Sequence, residues 1–357
     1  MRKNLQTFFE QQPGAEIKEW SEREGLVWLK KEDLPAVLAY FLAQTERPLI
    51  LTHVVNDERE LGHGFVIYII LHWRGDFSLT LGVREIQDEF PSLTPVFPGF
   101  NWAEREAKDL FGLTPTGHPD PRPLVLHPGW PKGFYPLRKD RFIKLEEAKE
   151  NFCPQPLPIS VTQGEGVFEI PVGPIHAGII EPGHFRFHTV GETVLHLDAQ
   201  LFYTHKGVEK LLEGMDVFEG LKIVERLCGV CTVSHALAYS EAVEKLSGLN
   251  PSGRILLWRT VLAELERLYN HIGDIGNICA GVGFALGNAN GLQSKERLQR
   301  LNAEIFGHRF LRGVIIPGGA RVIPDLSQTQ SLKERLTAHT DFPIFEKLQL
   351  PIWQRMA

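Results

Sequence analysis

The sequence predicts an α+β N-terminal domain followed by a mainly α-helical domain that has a small antiparallel sheet at its start. Three observations carry this. Over residues 49–55, 65–73 and 77–83 the pattern is that of strands, the last two joined by Arg74-Gly75-Asp76. Beyond residue 203, apolar residues recur instead at helical spacing. Between these regimes lies a charged and then proline-rich tract, Pro154, Pro156 and Pro158 at its end, of the kind that links domains. The expected division is 1–145, a linker over 146–165, and 166–357.

Taken in order, the period of Leu34, Val37, Leu38, Phe41 and Leu42 predicts an amphipathic helix over 32–43. Together with the three strands it implies a partly antiparallel sheet. Seven prolines then fall between Pro91 and Pro123, flanking a helical patch at 102–111. Such a tract forms no long regular element, and its part over 115–136 is expected to be a contact surface. Within the patch, Glu104, Arg105 and Asp109 read as helix-surface charges available to touch a partner. Strands are expected at 167–170 and 185–197, and helices at 203–213 and 217–227. Asn250-Pro251 is read as the start of the longest helix, to about residue 278. The glycines between Gly281 and Gly291 are expected to break it before a helix over 292–310. Ile315 to Gly319 reads as a turn. The final twenty residues carry Pro343 and Pro351 and complete no element, so a chain cut short is expected.

Bulk numbers exclude several classes. The chain has 357 residues, 43% of them apolar and 23% charged, with a net charge of −6. That charge is spread evenly, and no basic face points to nucleic acid. The longest apolar run, 65–71, is far too short to span a membrane, and Met1-Arg2-Lys3-Asn4-Leu5-Gln6 lacks the apolar core of a signal peptide. Four cysteines, two of them close together, are not a secreted disulfide framework. A cytoplasmic chain that meets a membrane only through partner subunits is expected.

The close pair is Cys228-Gly229-Val230-Cys231, within Glu225-Arg226-Leu227-Cys228-Gly229-Val230-Cys231-Thr232-Val233-Ser234-His235. Apolar-periodic residues follow at once and Ser247-Gly248 stops them, so the pair lies at a helix N-terminus. There the helix dipole and unpaired N–H groups are expected to favour thiolate, the form that binds soft metals. A zinc site built on Cys228, Cys231 and His235 lacks an evident fourth ligand. A thioredoxin-like dithiol lacks a framing βαβ pattern.

Two stretches resemble known families. Asn101-Trp102-Ala103-Glu104-Arg105-Glu106-Ala107-Lys108-Asp109-Leu110-Phe111-Gly112, with Gly117-His118-Pro119-Asp120 and Pro136-Leu137-Arg138-Lys139-Asp140, is similar to the 30-kDa-type subunit of respiratory complex I. Gly173-Pro174-Ile175-His176, Glu181-Pro182-Gly183-His184-Phe185-Arg186 and His205-Lys206-Gly207-Val208-Glu209-Lys210, leading to the cysteine pair, resemble the N-terminal half of a [NiFe]-hydrogenase large subunit and its relative, the 49-kDa-type complex I subunit. Both modules in this order resemble group 4, formate-hydrogenlyase-type membrane-bound hydrogenases.

This resemblance implies a hydrogenase large-subunit-like fold, truncated, and an oxidoreductase subunit for reversible H2 oxidation. It implies a Ni-Fe centre with Cys228 as a terminal nickel ligand and Cys231 as a bridging one. His235 and Arg226 would lie beside the iron, and Glu181 would relay protons. 4Fe-4S clusters are implied in a small iron–sulfur partner subunit. His176 falls where quinone-dependent relatives keep a head-group histidine. Alternatives are a quinone-binding, complex-I-like subunit and a non-catalytic assembly remnant. The second CxxC that completes the family's centre is absent from this sequence; Cys153 and Cys279 stand alone, and Cys279 reads as a buried apolar residue.

Overall fold

A computed structural model describes residues 2–74, 77–127, 129–140, 162–174 and 181–337. His176, Cys153, most of the expected linker and the last twenty residues therefore lie outside the described residues. The chain divides into two compact units, Met1–His205 and Lys206–Ala357.

The first unit opens with α1 (Arg2–Glu10), β1 (Glu16–Trp20), β2 (Glu24–Leu29) and α2 (Leu34–Leu42). β3 (Leu49–Asp57), β4 (Phe65–Trp73) and β5 (Phe77–Ile86) follow and match the strand patterning. The sheet has the order β1-β2-β5-β4-β3, antiparallel except where β2 runs parallel to β5. Because side chains alternate across a sheet, the odd-numbered residues of β2, β4 and β5, from Val27 to Ile69 and Leu81, share one buried cluster. Phe9 of α1 and Leu38 and Phe41 of α2 complete this side of the core.

The proline-rich tract is tied to α3 (Asn101–Phe111) by the charges that the sequence suggests are on the surface. Glu104 is 0% exposed and accepts hydrogen bonds from Ser92 Oγ (2.6 Å), Thr94 Oγ1 (2.8 Å) and the Leu93 N–H. Asp109 accepts from the N–H groups of Leu124 and Val125, both at 2.8 Å. Arg105 donates to the carbonyls of Arg122 and Pro123. The expectation of surface charge pairing is thus corrected: prolines cannot pair their own backbone, and these side chains satisfy the segment's orphan polar groups. His118 completes the arrangement. Its Nδ1 accepts from the Asp120 N–H at 2.9 Å, so Nε2 carries the proton and faces the Asn101 carbonyl at 3.3 Å. β6 (Glu89–Pro91) and β7 (Thr114–Thr116) form a short parallel pair around this tract.

β8 (Phe168–Val172), β9 (His184–Val190) and β10 (Thr193–Gln200) form the small antiparallel sheet, ordered β10-β9-β8. What reads as one strand over 185–197 is a hairpin that turns at Gly191, where φ is +56°. A positive φ is the backbone freedom glycine supplies, and the sequence pattern alone does not expose it. Contacts place this sheet in the first unit.

The second unit is helical: α4 (Val208–Leu212), α5 (Val217–Val224), α6 (Thr232–Ser247), α7 (Gly253–Gly281), α8 (Ala285–Phe306) and α9 (Leu326–Thr337). β11 (Ile315–Ile316) and β12 (Gly319–Ala320) make a two-residue hairpin where a turn is expected. Gly248 stops α6 in the left-handed conformation, as the Ser-Gly signal predicts. Two expectations are corrected. Ser252, not Asn250, holds the N-cap position of α7, without a side-chain cap bond. The glycine-rich stretch is mostly helix: Gly287 and Gly291 lie inside α8, because packing against α7 demands small residues there. A Cβ at Gly291 would sit 2.8 Å from Gly276 Cα.

Candidate metal-ligand site

α5 is capped by Asp216, whose Oδ1 accepts from the Phe218 N–H at 2.9 Å, and it ends at Glu225. Two tight turns, Arg226 N to Ile223 O and Leu227 N to Val224 O, then carry the chain into Cys228-Gly229-Val230-Cys231. Gly229 has nothing within 4 Å of where a Cβ would stand, so the turn is open to a neighbour on that side. The two sulfurs approach to 3.2 Å, and both cysteines are free and half-buried.

Three residues on one face of α7, within a single turn of each other, hold this loop. Tyr269 Oη donates to the Val230 carbonyl at 3.0 Å, and Asn270 Nδ2 donates to the same oxygen at 2.9 Å. Glu266, 2% exposed, accepts from the N–H groups of Val233 (2.6 Å) and Ser234 (2.9 Å) and from Ser234 Oγ. From the other side, Lys206 Nζ donates to the Leu227 carbonyl at 2.7 Å. Cys231 itself is the N-cap of α6 but makes no side-chain cap bond, since Glu266 occupies the N–H groups a cap would use.

That arrangement corrects the expected thiolate. Burial pushes the Cys231 thiol up to about 11, and the neighbouring Cys228 sulfur and the Glu266 carboxylate add to the rise. A buried carboxylate at the helix N-terminus offsets the dipole that would otherwise favour a sulfur anion.

His235 follows Cys231 by one turn, its N–H bonded to the Cys231 carbonyl, and is half-buried. Arg226 is exposed and donates to the Lys222 carbonyl. Glu181 belongs to the first unit, where it is exposed and accepts from Thr204 Oγ1 at 2.8 Å. Cys279 is half-buried near the end of α7, which corrects the reading of a buried residue.

Two sulfurs this close can reach one soft ion, so the pair fits as half of a thiolate ligand set. Among the described residues no group of three or more His, Cys, Asp or Glu side chains is placed to hold a metal. The residues the sequence does not single out are Glu266, Tyr269 and Asn270. Their signal is a carboxylate at a position of the apolar stripe Leu262, Leu265, Tyr269 and Ile272. A charge on a buried face needs a partner, and here the partner is the N-terminus of α6.

Residues 27–147 match the respiratory-chain NADH dehydrogenase 30 Kd subunit family, and residues 206–274 match the nickel-dependent hydrogenase family. The chain is a fusion of a complex I 30-kDa-type domain with part of a nickel-dependent hydrogenase large subunit. It is similar to Hydrogenase-4 component G of Escherichia coli (strain K12), 34% identical over 316 residues, 87% of this chain and 57% of that protein. To Formate hydrogenlyase subunit 5 of the same organism it is 33% identical, over 89% of this chain and 57% of the other. The C/D-type subunit of the NADH-quinone oxidoreductase of Proteus mirabilis (strain HI4320) is 28% identical over 72% of this chain and 47% of that protein. The 357 residues therefore span about half the length of the curated relatives they match.

Proposed function

We propose that this chain is part of the large subunit of a hydrogenase-4- or formate-hydrogenlyase-type complex, related to complex I, that interconverts protons and H2. The observation that carries the reading is the pair of free sulfurs 3.2 Å apart, clasped by Glu266, Tyr269 and Asn270 within the segment that matches the nickel-dependent hydrogenases. Identity above 30% to Hydrogenase-4 component G and to Formate hydrogenlyase subunit 5 supports it.

When bound, a nickel–iron centre supplies the site for proton reduction. The residues of this chain that would hold it are Cys228 and Cys231, each as a sulfur donor. Two donors do not retain an ion alone, so further donors would have to join Cys228 and Cys231. The frame on α7 anchors the backbone between and just after the two cysteines, through the Val230 carbonyl and the N–H groups of Val233 and Ser234. His235 and Arg226 flank the pair. Glu181, oriented by Thr204, is the proton-relaying carboxyl in this reading. A small iron–sulfur subunit with 4Fe-4S clusters is the electron partner, and other subunits tether the assembly to the membrane. The described residues include no helix long and apolar enough to cross one.

Nickel and iron analysis of the chain purified with its co-expressed neighbours tests the reading. Stoichiometric nickel, lost in Cys228→Ser and in Cys231→Ser while the assembly still forms, is the expected result. An assembly that forms and evolves H2 with both cysteines replaced would overturn it.

A further inference from the structure

A pocket of about 500 Å³ lies between α5 with the following Glu225 and Arg226, and residues 312–321 around the β11–β12 hairpin. Leu221 and Ile316 supply apolar lining, and Lys222, Arg226, Arg312 and Arg321 bring four positive charges to it. Lys222 is neutralised by Glu219 at 2.6 Å. That leaves three guanidinium groups around a single carboxylate, Glu225, which is 3% exposed and accepts from the Gly313 N–H at 2.6 Å. Among the described residues none of the three arginines forms an ion pair. Arg312 Nε is buried without a hydrogen-bond partner. Arg226 donates to a backbone carbonyl, and Arg312 lies over the Phe310 ring at 5.8 Å.

We propose that this pocket binds a small oxyanion, a carboxylate or a phosphate, held by Arg226, Arg312 and Arg321. Like charges gathered in a cleft repel one another and raise the local concentration of anions. A guanidinium offers a planar fork of donors that matches the oxygen geometry of carboxylate and phosphate. The apolar lining lowers the local polarity and strengthens each of those bonds. The same field acts on the neighbouring His308, whose imidazole is held below its usual range by burial and by Arg312, Arg226 and Arg309. Chloride satisfies the charge but not the fork, so the site discriminates by geometry. The pocket is lined by residues within 218–226 and 312–321; neither cysteine lines it, and Arg226 is the residue it shares with the proposed hydrogenase site, so the test rests on Arg312 and Arg321.

Calorimetric titration of the full chain with inorganic phosphate and with acetate, against chloride at matched ionic strength, tests the site. Saturable binding of phosphate or of acetate beyond the chloride control is the expected result, and the arm that saturates identifies the oxyanion. Exposed Arg321→Ala, and Arg312→Lys, which keeps the charge but loses the fork, each weaken that binding at least tenfold. Both keep the circular-dichroism spectrum and the anion-free melting temperature. Heats that do not saturate for either anion, or that equal those of chloride, overturn the proposal, as does undiminished affinity in both variants.

Discussion

Glu244 and Arg259 show how this chain holds charge in its interior. Arg259 is 2% exposed and Glu244 5%; two guanidinium nitrogens meet the two carboxylate oxygens at 3.0 and 2.6 Å. Gly318 N also donates to this carboxylate, and Arg259 donates to the carbonyls of Ile316 and Gly319. The Arg259 hydrogen bond, outweighing burial, holds the Glu244 carboxyl below its usual range. A depressed carboxylate stabilises the fold above the ordinary carboxylate range, and that contribution is lost as pH falls through the folded value. Removing one partner leaves the other charged and buried, so Glu244→Gln is expected to cost about 3–5 kcal/mol in urea unfolding of the second unit. A loss below about 1 kcal/mol would show that solvent reaches the pair.

His53 has the opposite sign of response. Both ring nitrogens are buried without a hydrogen-bond partner, against Phe90 and Phe100, and burial lowers its pKa to about 4. Above about pH 6.5 the imidazole is neutral folded or unfolded, and its packing is unopposed. As pH falls from there toward 4, only the unfolded chain takes up the proton, so stability declines. The pH dependence of the first unit's melting temperature measures this, and His53→Leu should remove most of the slope between pH 6.5 and 4. An unchanged slope in that variant would rule His53 out as its source.

At the scale of elements, the contact between α7 and α8 depends on glycines meeting backbone to backbone. Gly276 and Gly291 face each other so closely that a methyl on Gly291 would meet the Gly276 Cα at 2.8 Å and its nitrogen at 3.2 Å. Backbone cannot rotate away as a side chain can. Gly291→Ala is therefore expected to destabilise by about 1–3 kcal/mol of overpacking, despite gaining up to about 1 kcal/mol of helix propensity. Gly281, at the end of α7, has nothing within 4 Å of its missing Cβ. There Gly281→Ala is expected to be neutral or stabilising by up to about 1 kcal/mol. Comparing the two denaturation midpoints separates packing from propensity, and equal shifts would contradict the contact.

Across the whole molecule, two families meet in one chain, and each unit carries its own core. The first is centred on the mixed sheet; the second is centred on α7, from Leu262 to Ile272, with Leu298, Leu301 and Ile305 of α8. The cysteine pair belongs to the second core through the frame on α7, so Glu266→Gln should disturb the pair as well as the fold. A neutral amide cannot accept from both N–H groups and the Ser234 hydroxyl as a carboxylate does, and one buried donor is left weakly satisfied. Thiol-exchange rates of Cys228 and Cys231 are expected to rise severalfold in this variant. Unchanged rates with full stability would mean that Tyr269 and Asn270 hold the loop alone.

Local pattern determined a large part of this protein. Period-two stretches located β3 to β5, a Ser-Gly stop placed the end of α6, and the spacing of Cys228 and Cys231 marked two sulfurs that stand 3.2 Å apart, since each depends on neighbours along the chain. Long-range partners decided the rest. Glu104, Arg105 and Asp109 resemble surface charges until the prolines that need their hydrogen bonds fold against them. The glycines of α8 resemble a break until α7 is packed beside them. The helix N-terminus at Cys231 resembles a thiolate site until Glu266, some thirty residues on, occupies its N–H groups. In each case the residue's own chemistry is legible in one dimension, while the group that satisfies or opposes it is brought near only by the fold.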